Sequence, residues 1–185
     1  MTTKEYFDYL LYGLPVDVVL KTRTVAMVKQ DFMNEKEAII QEIIKREFNI
    51  EFAAEVTFTQ DLARAFYIEL NNKERQNVYA HTIDIMTQGP SLFMVLEKER
   101  ENSECWGNWR YEMGVTNPIK ASTDSLRHIF FTKVCGEDES LFSDFIKTNV
   151  LHGSSCGAAV YREAMLMLLH LISIKKEPLF TNIAA

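Results

Sequence analysis

Short apolar runs separated by segments of helical period constrain this chain more than any other feature. The stretch from Thr22 to Lys29 is β-branched and apolar and is closed by Gln30 and Asp31, which predicts a buried strand. Ile50 to Phe58 has strand composition, with Ala54, Val56 and Phe58 on one face, and Leu92 to Leu96 forms a third short strand after the Gly89-Pro90 breaker. Between them, Asn34 precedes Glu35 and Glu37, and Ile39, Ile40, Ile43 and Ile44 follow at helical spacing. A capped amphipathic helix running to near Phe48 is therefore expected. Thr59 or Asp61 opens a further helix through Leu62, Phe66 and Leu70, and another spans Glu74 to Met86. Trp106 and Trp109 fall in a short helix and are assigned to the core. Asn117-Pro118 starts a loop, and Gly153-Ser154-Ser155 precedes a last helix from Ala158 to about Leu171, with Ala159, Met165, Leu168 and Leu169 available to the core. This order predicts an α+β sandwich with helices over one sheet.

At 185 residues the chain can bury one substantial core, and 47% apolar with 25% charged residues is the balance of a folded protein. Residues 1–21 read as an extension whose Tyr6, Phe7, Tyr9, Leu10, Leu11 and Tyr12 form helical turns that dock on residues 22–172 or on a partner, the former being favoured, and residues 173–185 read as a tail. A net charge of −6 argues against general affinity for nucleic acid. Within that acidic chain Arg110, Lys120 and Arg127 fall close together, which points to an anionic ligand. Cys105, Cys135 and Cys156 form neither a disulfide framework nor a zinc pattern, so a reducing compartment is expected. No leader pattern and no apolar run near the ~20 residues of a membrane helix is seen, so a soluble intracellular protein without membrane contact is expected.

The sharpest local signal is Asn149-Val150-Leu151-His152-Gly153-Ser154, a histidine leaving an apolar strand just before a glycine turn and a helix. That placement exposes an imidazole beside helix N-terminal amides, which can receive an anion. His81, His128 and His170 have no such company, and Cys156 reads as a helix-start residue.

The segment resembles the active-site signature of nucleoside diphosphate kinases, Asn-x-x-His-Gly-Ser-Asp, with Ser155 standing at the last position. Arg23 to Asp31 resembles the family's opening strand and its Lys-Pro-Asp, with Gln30 for Pro. Gln88-Gly89-Pro90 resembles its Ser-Gly-Pro, and Gly114 to Pro118 its Gly-x-Thr-Asn-Pro loop. The resemblance covers roughly Thr22 to Leu171 and implies a ferredoxin-like sandwich of four antiparallel strands covered by helices. It implies that His152 carries the phosphoryl group, that Glu163 orients its ring, and that Tyr67 and Ser154 stand beside it. Lys29 and Asn149 would bind the sugar hydroxyls, and Arg110, Arg127 and Thr116 the phosphates. Nucleoside di- and triphosphates are the implied ligands, with Mg²⁺ carried by the nucleotide. A carboxylate on one imidazole nitrogen and planar guanidinium forks on phosphate oxygens suit that chemistry. As phosphate contacts, both arginines are expected to matter for affinity and little for stability.

Three departures bear on function. Ser155 replaces a carboxylate that reaches magnesium or its waters in the family. Extra residues before Val78 leave Val78 or Tyr79 at the base-stacking position, and of these Tyr79 alone could stack. An insertion between Arg127 and Asn149, centred on residues 135–145, carries Gly136-Glu137-Asp138-Glu139 and reads either as a repulsive flap over the pocket or as a partner surface. Residues 119–127, with Leu151 to Ser154 and Arg162-Glu163, resemble the ciliary and flagellar, radial-spoke-associated branch. That resemblance implies axonemal partners, and either a kinase or a structural module that keeps a nucleotide pocket.

Overall fold

The computed structural model describes residues 1–99, 103–136 and 149–181. The elements are α1 (Thr3–Asp8), a π turn (Tyr9–Gly13), α2 (Val16–Thr22), β1 (Arg23–Val28), a 3₁₀ segment (Gln30–Glu35), α3 (Lys36–Lys45), β2 (Asn49–Thr57), α4 (Gln60–Phe66), a 3₁₀ turn (Ile68–Leu70), α5 (Gln76–Met86), β3 (Pro90–Glu97), α6 (Cys105–Met113), α7 (Leu126–Cys135), β4 (Leu151–Gly153), α8 (Gly157–Ser173) and β5 (Phe180–Thr181). The strands form one sheet in the order β4-β1-β3-β2-β5, with antiparallel neighbours throughout. Its first four strands are the expected ferredoxin-like sheet. The segment expected as a tail instead closes α8 and returns to the edge of β2 as β5, pairing Phe52 with Thr181.

Every residue of β1 is buried, because helices cover both faces of the sheet rather than one. Period-two alternation sorts the side chains. Val25, Met27, Phe93 and Val95 face α4, α5, α8 and the N-terminal helices, whereas Ala26, Val28, Leu92, Met94 and Leu96 face α3, α6 and α7. In β2 a register shift between Ile50 and Phe52 breaks the alternation, so these two residues enter opposite cores. Glu51 sits at that irregularity, only 2% exposed. It accepts hydrogen bonds from Arg23 at 2.6 Å and from the Tyr6 hydroxyl at 2.9 Å. Burial and this carboxylate both hold the Tyr6 phenol well above its ordinary range. The N-terminal segment is thereby tied to the sheet through Tyr6, Leu10 and Val19, all within the core.

Some local expectations shift. Asn34 lies inside the 3₁₀ segment and does not cap α3, whose cap position is Glu35 without a side-chain bond. The helix stops at Lys45 because Glu47 adopts a left-handed φ of 62°. Thr59 caps α4 as expected, accepting from the Leu62 amide at 3.2 Å. Trp109 is fully buried but Trp106 only partly, and Leu169 is 53% exposed on the outer face of α8. Residues 137–145 of the acidic insertion lie outside the described residues.

Two glycines set the frame around β4. At Gly153 an added Cβ would lie 2.6 Å from Trp109 Cδ1. The close approach lets the Trp109 indole donate to the His152 carbonyl at 3.2 Å while its ring packs edge-on against Phe48. Gly114, at φ 85° after α6, brings the helix end against Ser125, which caps α7. Gly153→Ala is therefore expected to overpack the Trp109 contact and destabilise the fold by ~1–3 kcal/mol. Urea unfolding checks this; an unchanged midpoint would show that the indole moves aside without loss.

Candidate active site

His152 is the central residue of β4, flanked by the buried Leu151 and Gly153. Its Nε2 lies 3.0 Å from Glu163 Oε2, on the second turn of α8. That same oxygen accepts from the Ser154 hydroxyl at 2.7 Å, and Oε1 faces the Arg162 guanidinium at 3.3 Å. Arg162 is held in turn by the Phe66 carbonyl at 2.9 Å and by Glu69 at 3.0 Å. The buried carboxylate is thus met on both oxygens. It selects the imidazole tautomer with the proton on Nε2, which leaves Nδ1 as a lone-pair nitrogen. Nδ1 has no hydrogen-bond partner among the described residues. Phe66 and Tyr67, adjacent in the chain and packed on each other, lie against the ring from one side at centroid distances of 5.0 and 5.4 Å, which limits its rotation.

The ring opens on a cavity of about 1010 Å³ whose wall includes Lys29, Tyr67, Arg110, Thr116, Arg127 and Asn149. Lys29 directly follows strand β1, and its amide donates to the Val150 carbonyl at 3.2 Å. Helix α6 carries Arg110 and the first turn of α7 carries Arg127, joined through the Gly114–Ser125 contact. Most of the sequence-derived site therefore converges here. Lys29 is only 7% exposed and Arg127 only 6%, and neither has a carboxylate within ion-pair distance among the described residues. Burial first, and then Arg127, push the Lys29 ammonium down to about 7, against a smaller opposing pull from Asp31. Burial first, and then Arg110, bring Arg127 down to about 10, with Tyr67 opposing. The Tyr67 phenol is raised, chiefly by burial and next by Glu163. Two cations held out of water with no carboxylate against them among the described residues point to a place for a polyanion.

Buried polar atoms without partners mark the same place. Of seven such side-chain atoms among the described residues, four belong to the cavity wall: Tyr67 Oη, His81 Nε2, Arg127 Nε and Asn149 Oδ1. An unmet buried polar atom costs ~1–3 kcal/mol, so a cluster of them around one cavity is what a site for a polar ligand leaves open.

The structure corrects several assignments. Tyr79 is turned out of the cavity, packed on the core and donating to the Arg64 carbonyl at 3.1 Å, so it cannot stack on a ligand there; Val78 lines the wall instead. Ser154 is fully buried behind Glu163 and does not line the cavity, which makes it a positioning residue. Lys120 lies outside the wall. Arg127 is not a solvent-exposed arm, because its two terminal nitrogens donate to the Gly114 and Leu151 carbonyls at 2.7 and 2.8 Å. Residues not singled out from sequence also contribute. Glu69 accepts from the Ser155 hydroxyl at 2.8 Å, and His81, set aside above, lines the wall beside Asn77 and Val78. Their spacing carried a signal, since His81 is one helical turn from Val78 and Glu69 follows Tyr67 by two. No group of three or more metal-ligating side chains occurs among the described residues. No helix among them is long and apolar enough to cross a membrane.

Comparison with known proteins gives the family of the chain and its fold. A thioredoxin domain-containing protein 3 homolog of Heliocidaris crassispina is 35% identical over 139 residues, 73% of this chain and 14% of that protein. Thioredoxin domain-containing protein 6 of Xenopus laevis is 30% identical over 158 residues, so that the chain spans only 21% of it. A nucleoside diphosphate kinase of Desulfotalea psychrophila is 34% identical over 128 residues, 68% of this chain and 88% of that protein. Among solved structures, nucleoside-diphosphate kinase from Borrelia burgdorferi, a transition state mimic with bound vanadate and ADP, has the same fold with a TM-score of 0.66. It is 19% identical, and the match covers 80% of this chain and 86% of that one. The family profile described as nucleoside diphosphate kinase matches residues 22–170, and the chain belongs to that family.

Proposed function

We propose that the protein transfers the γ-phosphoryl group between nucleoside triphosphates and diphosphates through phospho-His152. The observation that carries this reading is the conjunction, in one cavity, of His152 and the cations Lys29 and Arg127, the ring's Nδ1 and both cations being without an acidic partner among the described residues. In the first half-reaction Nδ1 attacks the γ-phosphorus, the N–P bond forms, and the bond to the β-phosphate oxygen breaks with that oxygen leaving on the diphosphate. Glu163 keeps the Nε2 proton in place and balances the positive charge that develops on the ring. Arg110, Arg127 and the Thr116 hydroxyl face the charge on the phosphoryl oxygens, while Lys29 and Asn149 hold the sugar end. The second half-reaction is the reverse, onto an acceptor diphosphate. The cavity's carboxylates, Glu69 and Glu163, are both already engaged by protein donors. Magnesium would accordingly be held by the nucleotide phosphates, where it would offset their negative charge.

We further propose a ciliary or flagellar axoneme as the setting, on the sequence resemblance of residues 119–127, Leu151 to Ser154 and Arg162-Glu163 alone; the two thioredoxin domain-containing relatives are longer proteins of which this chain spans a small part. One observation favours a second reading, an axonemal module that binds nucleotide with little turnover. Ser155 spends its hydroxyl on Glu69 at the position of the family's aspartate.

Labelling with γ-³²P ATP separates the two. Kinase chemistry yields acid-labile, base-stable label that excess diphosphate removes and that His152→Ala loses to background. Nucleotide binding without label supports the second reading, and equal labelling of the mutant would falsify the role of His152.

The arginines differ in their expected effects. Arg110 is exposed, so Arg110→Ala lowers nucleotide affinity with melting temperature unchanged. Arg127→Ala lowers both, because it also removes two bonds to backbone carbonyls. Equal melting temperatures for both variants would contradict the structural part of the Arg127 assignment.

Lys29 makes binding depend on pH. A bound polyanion returns its pKa from about 7 toward the ordinary 10.5, so a proton is taken up on binding above pH 7. Affinity then falls as pH rises from 7 to 9, by up to about tenfold per unit. The unliganded fold shows the opposite sense. Its depressed lysine binds fewer protons than the unfolded chain between these values, so stability rises with pH across that window. Calorimetry in buffers of different ionisation enthalpy measures the uptake, and Lys29→Gln should abolish it.

A further inference from the structure

Taking the cavity as a nucleotide pocket, the orphaned Tyr67, Arg127 and Asn149 atoms are accounted for by phosphate, sugar and the reacting histidine. The His81 Nε2 is not. It belongs to α5, whose Asn77, Val78 and His81 line the cavity, and it is buried with no hydrogen-bond partner among the described residues.

The two ends of the cavity differ in chemistry. The wall beside β1, α6, α7 and β4 supplies Arg110, Arg127 and His152 toward the phosphates, with Lys29 at the sugar end adding to the positive charge. Asn77, Val78 and His81 of α5 carry no charge apart from what His81 itself can take up, and Arg75, at the cap of this helix, also lines the cavity. The face of Asn77, Val78 and His81 presents an amide, a branched methyl pair and an imidazole one turn apart, a set that matches the edge and flank of a heterocycle rather than an anion. Aromatic stacking is missing from this face, since Tyr79 turns away to the Arg64 carbonyl and Val78, 55% exposed, replaces it with a small apolar contact. Without a ring to stack on, a base on this wall is held through its edge. Edge contacts, unlike stacking, distinguish one base from another.

We propose that His81 is a base-recognition residue, hydrogen-bonding the nucleobase edge through Nε2, and that it gives this protein a preference among nucleoside di- and triphosphates that the phosphate end of the pocket does not supply. Asn77 stands beside it as the second polar group on that edge. The imidazole acts on binding and not on the phosphoryl transfer, so it enters the affinity for each nucleotide and not the reactivity of His152.

The test measures binding of ADP, GDP, CDP, UDP and inorganic tripolyphosphate by calorimetry to the wild type and to His81→Ala, His81→Phe and His81→Gln. Base recognition predicts unequal affinities for the four diphosphates in the wild type. His81→Ala and His81→Phe weaken the preferred nucleotide about tenfold, the effect of one hydrogen bond, and bring the four toward equality. Tripolyphosphate binding is unchanged in every variant, and His81→Gln restores part of the preference. Melting temperatures should not fall, because the Nε2 atom has no bond to lose in the unliganded chain. Four equal affinities in the wild type, or equal losses of ADP and tripolyphosphate on mutation, would overturn the assignment. Full recovery by His81→Phe would also overturn it, by showing that the ring packs rather than bonds. If tripolyphosphate binds and none of the nucleotides does, the base assignment fails while the polyanion site stands. If neither binds, the nucleotide reading itself fails and this inference falls with it.

Discussion

Glu163 is the constraint on which the site depends. A carboxylate 2% exposed on the inner face of an apolar helix is costly unless its charge is met, and here Ser154, His152 and Arg162 meet it from three directions. Each partner comes from a different part of the site: strand β4, the turn that follows it, and the α8 helix itself, with Arg162 reaching on to the end of α4. The charge cannot be satisfied unless α8 lies against β4 at one rotation and one depth. The same requirement fixes the ring of His152. Packing alone would leave α8 free to slide, because Ala164, Met167, Leu168 and Leu171 offer a smooth apolar stripe that many registers could bury.

The cations across the cavity follow the opposite principle. Lys29 and Arg127 are desolvated with no carboxylate in ion-pair contact among the described residues, which lowers the stability of the empty fold, and the rest of the structure tolerates this because Arg127 is anchored to two carbonyls. A group held that way does not reorganise when phosphate arrives, which is the condition for electrostatic stabilisation to act on a transition state. Stability and function therefore diverge at this wall while they coincide at Glu163.

Much of this was legible in the sequence where a local rule dominates. The run from Thr22 to Lys29 forms β1, Thr59 caps α4, and the residues of the glycine-turn histidine signature, with Glu163 spaced after it, meet as expected. Legibility failed where a contact is decided by elements distant in the chain. Nothing in the residues around Val78 and Tyr79 says which faces the cavity, because that depends on the Arg64 carbonyl fifteen residues upstream being free to accept the Tyr79 hydroxyl. Arg127 looked like a phosphate arm, but its burial is set by the carbonyls of Gly114 and Leu151. The β2 irregularity at Glu51 was invisible because its partners, Arg23 and Tyr6, sit on other elements. The return of β5 was missed for a like reason, since it has no strong strand signal of its own.

Ser155 shows how a substitution read alone can mislead. From sequence it is a missing carboxylate. In the fold its hydroxyl donates to Glu69, which Arg162 also holds, so a carboxylate still stands at this corner of the cavity wall on a different backbone. An aspartate at the same position would face Glu69 at hydrogen-bond distance, two like charges sharing one cation, and one of them would have to take up a proton or move away. The serine and the glutamate are therefore a matched pair, and Arg162 couples them to Glu163 and through it to His152. The departure from the family signature is in this sense not confined to the position where it appears. It extends through a chain of charged contacts from the cavity rim to the histidine ring, and the behaviour of the ring depends on that chain as a whole rather than on one absent carboxylate.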